Sequence, residues 1–206
     1  MAELEIKLLM VGSGYTNCYL VKNKDNNEGF IIDPGEDAYK IMGHINSMGM
    51  TPKAILLTHC HYDHILAVDE LREKYNIKVY ISKEDAKGIV DPKINLTLKH
   101  GFPTAVEPDV TLEDGEMLNI AGVDIKFILT PGHTPGSGCF YIKDKNLLFS
   151  GDTMFRASRG RTDFPGGSDE AIIKSIKTKL LTLPDNTYVC PGHMETTSIE
   201  QEKYFY

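Results

Sequence analysis

The sequence predicts a layered α/β fold in which helices pack against mixed β-sheets. Aliphatic segments with the composition of strands recur along the whole chain, and segments between them have the periodicity of helices. Turn-forming residues also join neighbouring strands into hairpins. Because strands and helices alternate only loosely and hairpins are mixed in, the pattern argues against an all-parallel barrel and against an all-β sandwich.

The predicted strands are rich in β-branched and aliphatic residues, and turn chemistry separates several of them. Asp114-Gly115, Ala121-Gly122 and Asp144-Lys145-Asn146 are typical of tight turns. The strands are expected over residues 4–11, 16–22, 29–33, 53–58, 77–81, 117–120, 123–130, 138–143, 147–150 and 187–190.

Three helices are predicted from apolar residues that recur on one face. In residues 36–48, Ile41 and Ile45 are one turn apart, and Gly49 stands where a left-handed C-terminal cap belongs. Residues 64–75 and 169–182 have the same apolar spacing. Asp63 directly precedes the second of these helices, so we expect it to cap that N-terminus.

Composition limits the class of protein. The 206 residues, of which 41% are hydrophobic, suit a single domain over 1–206, and the net charge of -7 disfavours a nucleic-acid partner. No apolar run approaches the ~20 residues of a membrane span. The N-terminal residues do not resemble a secretory signal, and the four cysteines form no C-x-x-C pair. We therefore expect a cytoplasmic protein with reduced thiols that acts on a small-molecule substrate.

Ligand-type side chains follow four of the predicted strands. Histidine is scarce, with seven in the chain, and most of them fall in three short segments directly after a strand. A proline ends a strand, and the glycine after it accepts backbone angles that other residues avoid. Four such endings in one sheet system could converge on a metal site at a sheet edge. The candidate ligands are His59, His61, Asp63, His64, His133, Asp152 and His193.

The segment His59-Cys60-His61-Tyr62-Asp63-His64 carries most of these candidates. On an extended backbone His59 and His61 face the same side and can hold one ion, whereas Asp63 and His64, at the turn into a helix, face a second ion. Imidazole and carboxylate ligands without thiolate suit zinc, iron or manganese. We expect two divalent ions, zinc first, with iron or manganese as alternatives. His44 and His100 lie outside the pattern and are interpreted as ordinary surface or hydrogen-bonded residues.

These motifs, in this order, resemble those of the metallo-β-lactamase superfamily. The resemblance rests on Thr58-His59-Cys60-His61-Tyr62-Asp63-His64, Pro131-Gly132-His133-Thr134, Ser150-Gly151-Asp152-Thr153 and Pro191-Gly192-His193. Gly160-Arg161-Thr162-Asp163 with Gly166-Gly167 is similar to the glyoxalase II (hydroxyacylglutathione hydrolase) branch and its short bacterial relatives.

The resemblance implies a four-layer αβ/βα sandwich and a division of the ligands between two ions. It places His59, His61 and His133 on one ion and Asp63, His64 and His193 on the other, with Asp152 as the bridge. Asp33 would orient a ligand histidine. A turn aspartate is the alternative interpretation of that residue.

The resemblance further implies a dinuclear metal-dependent hydrolase in which a hydroxide shared by the ions attacks a carbonyl group and Asp63 orients the water. A thiolate leaves without a strong acid, so a thioester or activated ester is favoured over an amide. The chain ends at Tyr206, soon after His193. We therefore expect it to lack the helical extension with which glyoxalase II holds glutathione, and to show little preference for that thiol.

Alternative functions remain open at this point. One is a mononuclear iron enzyme of the persulfide dioxygenase kind, and another is a non-catalytic metal-binding partner protein; β-lactam hydrolysis is disfavoured because the resemblance is closer to the glyoxalase branch. The arginines at 156, 159 and 161 could clamp a substrate carboxylate. The interpretation that we favour is one structural salt bridge, for instance between Arg161 and Asp163, with the other charges solvated.

Overall fold

Two six-stranded sheets form the centre of the computed structural model, which describes residues 2–206. The first sheet has the order β1-β2-β3-β4-β5-β6, antiparallel from β1 to β3 and parallel from β3 to β6. Its strands are β1 (Leu4–Val11), β2 (Thr16–Asn23), β3 (Glu28–Ile32), β4 (Thr51–Leu56), β5 (Lys78–Ser82) and β6 (Val110–Leu112).

The second sheet contains the C-terminal strands in the order β12-β11-β10-β9-β8-β7. Only the β10–β11 pair is parallel, and the other neighbours are antiparallel. The strands are β7 (Met117–Ile120), β8 (Val123–Leu129), β9 (Gly138–Ile142), β10 (Leu147–Gly151), β11 (Tyr188–Pro191) and β12 (Thr197–Ser198).

Helices cover the outer face of each sheet. The helices are α1 (Ala38–Ser47), α2 (Val68–Tyr75), α3 (Ala86–Ile89), α4 (Asp169–Ser175), which continues into a π-helical turn (Ile176–Leu180), and α5 (Ile199–Glu202). Ile41 of α1 and Leu71 of α2 pack on the first sheet, and Ile172 of α4 packs on the second. Phe30 and Leu56 of the first sheet meet Phe127 and Phe140 of the second in a core between the sheets. The predicted four-layer αβ/βα sandwich is therefore confirmed.

The second predicted helix begins later than expected. Residues Tyr62–His64 form a 3₁₀ turn, and the α-helix starts only at Val68. Asp63 lies inside the 3₁₀ turn, so the expectation that it caps a helix starting at residue 64 is wrong. The turn frees the Asp63 carboxylate, which would otherwise be used on backbone N–H groups.

Gly49 has the expected left-handed conformation, with φ of 59°, just after α1. The prediction missed the short strands β6 and β12 and the one-turn helices α3 and α5, since elements of two to four residues carry too little periodicity to be recognised.

The four cysteines are buried in the packed interior. Cys18, Cys60, Cys139 and Cys190 are each exposed by 2% or less, and all four are free thiols. Burial raises the pKa of Cys139 to about 11 and that of Cys190 to about 12. Within residues 2–206, no helix has both the length and the apolar character required to cross a membrane.

Candidate metal centre

Four strand ends meet at one end of the two sheets. The end of β4 leads to His59, and β8, β10 and β11 of the other sheet lead to His133, Asp152 and His193. The convergence predicted from the sequence therefore occurs, but it draws on both sheets, with one strand from the first and three from the second.

Three groups of side chains at this point satisfy the geometry of an ion site: two share no residue, and the third, His59, His64 and Asp152, combines members of both with Asp152. We call His59, His61 and His133 the inner triad, because each of these residues is exposed by 3% or less. We call Asp63, His64 and His193 the outer triad, because the side chains of Asp63 and His193 are 18% and 21% exposed. Within each triad the candidate ligand atoms all lie within 4.8 Å of one another.

Asp152 lies between the two triads. Its Oδ2 is 3.5 Å from His133 Nε2 and 3.6 Å from His193 Nε2, and its Oδ1 is 3.5 Å from His64 Nε2. The carboxylate thus reaches one imidazole of the inner triad and two of the outer triad. All seven side chains predicted as ligands are brought together, whereas His44 and His100 belong to neither triad.

Hydrogen-bond partners behind the imidazoles select which ring nitrogen faces the centre. His133 Nδ1 donates to the carbonyl oxygen of Arg161 over 2.6 Å, which leaves Nε2 for the centre. Asp33 Oδ2 lies 3.0 Å from His64 Nδ1 and accepts a hydrogen bond from Thr58 Oγ1 over 2.7 Å. Thr58 Oγ1 in turn lies 3.2 Å from His59 Nδ1. Asp33 therefore has the geometry of a residue that orients ligand histidines.

Asp85, which the sequence analysis did not single out, connects the two loops that carry the inner triad. It is 2% exposed and stands just before α3. One carboxylate oxygen accepts from the Cys60 N–H over 3.0 Å and from Thr134 Oγ1 over 2.8 Å, and the other accepts from the Gly136 N–H over 2.7 Å. Its only sequence signal was a carboxylate directly after a predicted strand, in Ser82-Lys83-Glu84-Asp85.

The two triads differ in their protonation when no ion is bound. Burial and neighbouring histidines lower the pKa of His59 well below its usual value and that of His61 to about 3. Burial also acts to lower the pKa of His64, but the carboxylates of Asp33, Asp63 and Asp152 outweigh it and raise that pKa to about 10. His59 and His61 are therefore neutral, and the outer triad already attracts positive charge.

Buried atoms without hydrogen-bond partners provide a test of whether the site fits metal ions. Nε2 of His59 and His64 and Oδ1 of Asp152 are buried and have no such partner among residues 2–206, and His61 Nδ1 faces His133 Nε2 at 2.9 Å. Leaving a buried polar atom unsatisfied costs about 1–3 kcal/mol. Several such atoms at one point, all imidazole or carboxylate, fit divalent transition-metal ions.

The glycines before His133 and His193 are required for different reasons. Gly132 has the expected unusual backbone, with φ of 147°, and a Cβ there would lie 2.3 Å from the Ile172 nitrogen of α4. Gly192 has no such angle; a Cβ at that position would lie 2.3 Å from Asp152 Oδ1. Glycine is therefore required for its backbone angles at position 132, as the sequence predicted. At position 192 it is required because the Asp152 carboxylate approaches so closely.

An open cleft of about 550 Å³ leads from solvent to the triads. His100 lies on its wall, with its ring stacked on that of Tyr62 at 3.8 Å between centroids. His100 is exposed, as expected for a surface residue. Its position at the cleft was not predicted from the sequence, because the loop that carries it has no periodic pattern.

The three arginines of the segment 156–161 form ion pairs. Arg159 contacts Asp169 at 2.6 Å, Arg161 contacts Asp163 at 2.5 Å, and Arg156 contacts Glu195. The expected pair between Arg161 and Asp163 is present, whereas Arg156 and Arg159, expected to be solvated, are paired as well. Arg159 and Arg161 nevertheless line the cleft with their charges already partnered.

Comparison with known proteins agrees with this geometry. The chain is 40% identical over 195 residues to the probable metallo-hydrolase YqgX of Bacillus subtilis (strain 168), covering 94% of this chain and 92% of that protein. It is 35% identical over 203 residues to the hydroxyacylglutathione hydrolase GloC of Haemophilus influenzae, covering 97% and 95%.

Solved structures share the whole architecture. BLEG-1, described as a B3 metallo-beta-lactamase, superposes with a TM-score of 0.92 at 39% identity over 97% of both chains. A protein crystallised in a di-iron-bound form superposes with a TM-score of 0.84 at 34% identity over 96% of both chains. The family model of the metallo-beta-lactamase superfamily matches residues 11–193. With nearly its whole length matched, the chain belongs to the metallo-beta-lactamase superfamily.

Proposed function

We propose that the chain is a dinuclear metal-dependent hydrolase that acts on thioesters or activated esters. The observation that carries this proposal is the arrangement of two triads around one shared carboxylate, Asp152, at the base of an open cleft. In this proposal the inner triad holds one ion, the outer triad holds the second, and Asp152 bridges them.

Ions in these ligand sets would supply a hydroxide nucleophile near neutral pH and would polarise the substrate carbonyl group. The residues of the chain position the attacking water. Asp63 Oδ2 lies 3.2 Å from His193 Nε2 and accepts a hydrogen bond from Thr16 Oγ1 over 3.3 Å. Held in this way and 18% exposed, the Asp63 carboxylate can orient the attacking water at the floor of the cleft.

The leaving group argues for a thioester. In hydrolysis the water oxygen bonds to the acyl carbon, the bond from carbon to sulfur breaks, and the electron pair leaves on sulfur. Among the described residues that line the cleft, the only carboxylates are Asp63 and Asp152, both of which belong to the centre. A thiolate needs no protonation by a carboxylic acid in order to leave, whereas an amide nitrogen does. The relationship to GloC supports the same substrate class.

The metal identity is part of the proposal. Zinc is our first choice for two sets of imidazole and carboxylate ligands. Iron is the alternative, because a relative of 34% identity was crystallised with two iron ions. Elemental analysis of protein purified without added metal should give close to two transition-metal ions per chain. A reproducible single ion in fully active protein would contradict the dinuclear arrangement.

A substrate panel tests the reaction class. We expect hydrolysis of small thioesters, with a preference of less than about 100-fold for S-lactoylglutathione over the same acyl group on a simpler thiol, measured as the ratio of kcat/KM. A larger ratio would show that glutathione is recognised. Oxygen uptake with a persulfide substrate and one iron per chain would instead favour the dioxygenase alternative, and faster turnover of a β-lactam than of every thioester would favour the activity for which BLEG-1 is named.

A further inference from the structure

The cleft has one cationic side chain that forms no ion pair among residues 2–206. Arg159 and Arg161 are paired with Asp169 and Asp163. Lys99, on the same cleft, is in no such pair, and its charge acts only at longer range on Asp163, whose pKa it helps to lower. A positive charge that faces a substrate cleft without a partner is available to a negatively charged ligand.

Lys99 is held in place by a buried network. It belongs to a 3₁₀ turn, Leu98–His100, within what we call the 95–104 loop. Asn95, fully buried, donates to the carbonyl oxygens of Ile89 and Thr104 over 2.8 Å each and accepts from the Thr97 hydroxyl over 2.7 Å. These bonds fix both ends of the loop, so the backbone that presents Lys99 is ordered before any ligand arrives.

The same loop is bonded directly to the ligand-bearing segment. The Tyr62 N–H, between His61 and Asp63 in sequence, donates to the Asn95 carbonyl oxygen over 2.8 Å. The Tyr62 ring stacks on His100, the neighbour of Lys99. The position of Lys99 relative to the metal centre is therefore set by a backbone hydrogen bond and an aromatic stack.

Phe164 contacts both the centre and the cations of the cleft. Its ring centroid lies 5.3 Å from that of His61, and Lys99 Nζ lies over the same ring at 5.7 Å from its centroid. Arg161 also packs over this ring, at 4.2 Å. Cation–π attraction favours both contacts. A ligand that reaches from the centre to Lys99 therefore finds one apolar ring and a charge beside it.

We propose that Lys99 determines substrate specificity by binding a carboxylate at the far end of the acyl group. The substrate class is then a thioester whose acyl chain is short, apolar in the middle and singly negative at its end. One free ammonium group matches one carboxylate, and the paired arginines add no further net charge. This inference rests on the proposed hydrolase function, which it makes more specific.

Two matched pairs of compounds test the inference. For turnover, S-glutaryl and S-pentanoyl thioesters of N-acetylcysteamine share a neutral thiol and the same number of acyl carbons, and differ in the terminal carboxylate. We expect kcat/KM to be about tenfold or more higher for the glutaryl compound. In Lys99→Met this advantage should disappear, and the loss should appear in the KM for the glutaryl compound rather than in kcat.

Binding provides a readout that does not depend on turnover. Calorimetry of the metal-loaded protein with glutarate and with pentanoate should show that glutarate binds about tenfold more tightly, and that Lys99→Met removes the difference. Lys93→Met is the matched control. It removes an exposed lysine that lies just before the 95–104 loop and does not line the cleft. Both lysines are exposed, so neither change should lower the melting temperature appreciably.

The outcomes separate the two proposals. If neither thioester is hydrolysed but Lys99→Met abolishes the preference for glutarate, the hydrolase proposal fails and the assignment of Lys99 stands. If thioesters are hydrolysed but Lys99→Met leaves the preference for the anionic compounds intact, or Lys93→Met removes it equally, the assignment of Lys99 is overturned. Equal binding of glutarate and pentanoate by the unmodified protein would also overturn it.

Discussion

The inner and outer triads stand side by side, yet the chain builds them by different means. The inner triad contains only imidazoles, is almost completely buried, and is carried on two loops that Asp85 ties together. The outer triad includes a carboxylate, opens toward the cleft, and holds a proton on His64 when no ion is bound. In the proposed dinuclear centre, we therefore expect rigid geometry to hold the inner ion and charge to hold the outer ion.

Removing the charge of Asp152 should have the largest effect, because this carboxylate contacts both triads. We expect Asp152→Asn to lower kcat/KM by a factor on the order of 10³ or more, which corresponds to about 4 kcal/mol. The metal content should fall from about two ions to one, measured by elemental analysis. If the variant keeps both ions and its full rate, Asp152 does not serve as the bridge.

Asp85→Asn should change the metal affinities of the two triads by different amounts. The amide keeps one acceptor oxygen but turns an NH₂ group toward donors that now have no partner, so the two loops of the inner triad lose a shared anchor. We expect the affinity for the inner ion to fall about 10–100-fold, with a smaller change for the outer ion. Competition with a metal chelator measures both constants.

The matched control for Asp85 is Glu202→Gln. Glu202 is a fully buried carboxylate that accepts from the Ala157 N–H and from the Thr197 hydroxyl, and it contacts no member of either triad. This change should lower the free energy of unfolding by about 1–3 kcal/mol while leaving metal affinity unaltered. Equal losses of metal affinity in both variants would reduce the role of Asp85 to general stability.

The affinity of the outer triad should depend more strongly on pH than that of the inner triad. The pKa of His64 in the ion-free protein is raised to about 10, so between pH 7 and that value an ion must displace its proton. Affinity should therefore rise with pH, by up to about tenfold per unit for one released proton. His59 and His61, with lowered pKa values, are already neutral there. Calorimetry in buffers of different ionisation enthalpy counts the protons, and identical release for both ions would contradict the comparison.

The smallest effects are expected at the histidines outside the triads. His44→Ala should change neither metal content nor rate. His100→Ala removes the ring that stacks on Tyr62 at the cleft wall, so we expect less than a tenfold loss of kcat/KM and unchanged metal content. A loss as large as that expected for Asp152→Asn would mean that His100 takes part in the chemistry, for instance as the acid for a poor leaving group.

Much of this centre could be predicted because its residues follow strands with clear patterns. His59, His133, Asp152 and His193 each come directly after a run of buried aliphatic residues, and such a run both identifies the strand and locates its end. The 95–104 loop could not be predicted in this way. Its order depends on hydrogen bonds of Asn95 and Thr97 to residues that leave no periodic trace in the sequence.

Asp63 and Asp85 show a second limit of prediction from the sequence. The sequence allowed Asp63 to be a helix cap, and only the tertiary structure shows that a 3₁₀ turn releases its carboxylate. Asp85 acts on loops that lie 25 and 49 residues away in sequence, and no local pattern contains that information. The side chains that form the two triads were therefore predictable, whereas the side chains that position the surrounding loops were not.

The burial of the four cysteines also determines how the protein behaves toward thiol reagents. A thiol reacts as its thiolate and only where a reagent can reach it, and these four are enclosed in the packed interior. The folded chain should therefore not react with an aromatic disulfide reagent. Thiol liberated from a substrate can then be titrated in the same vessel without a background from the protein, and a slow additional reaction amounting to four equivalents per chain would report the opening of the fold.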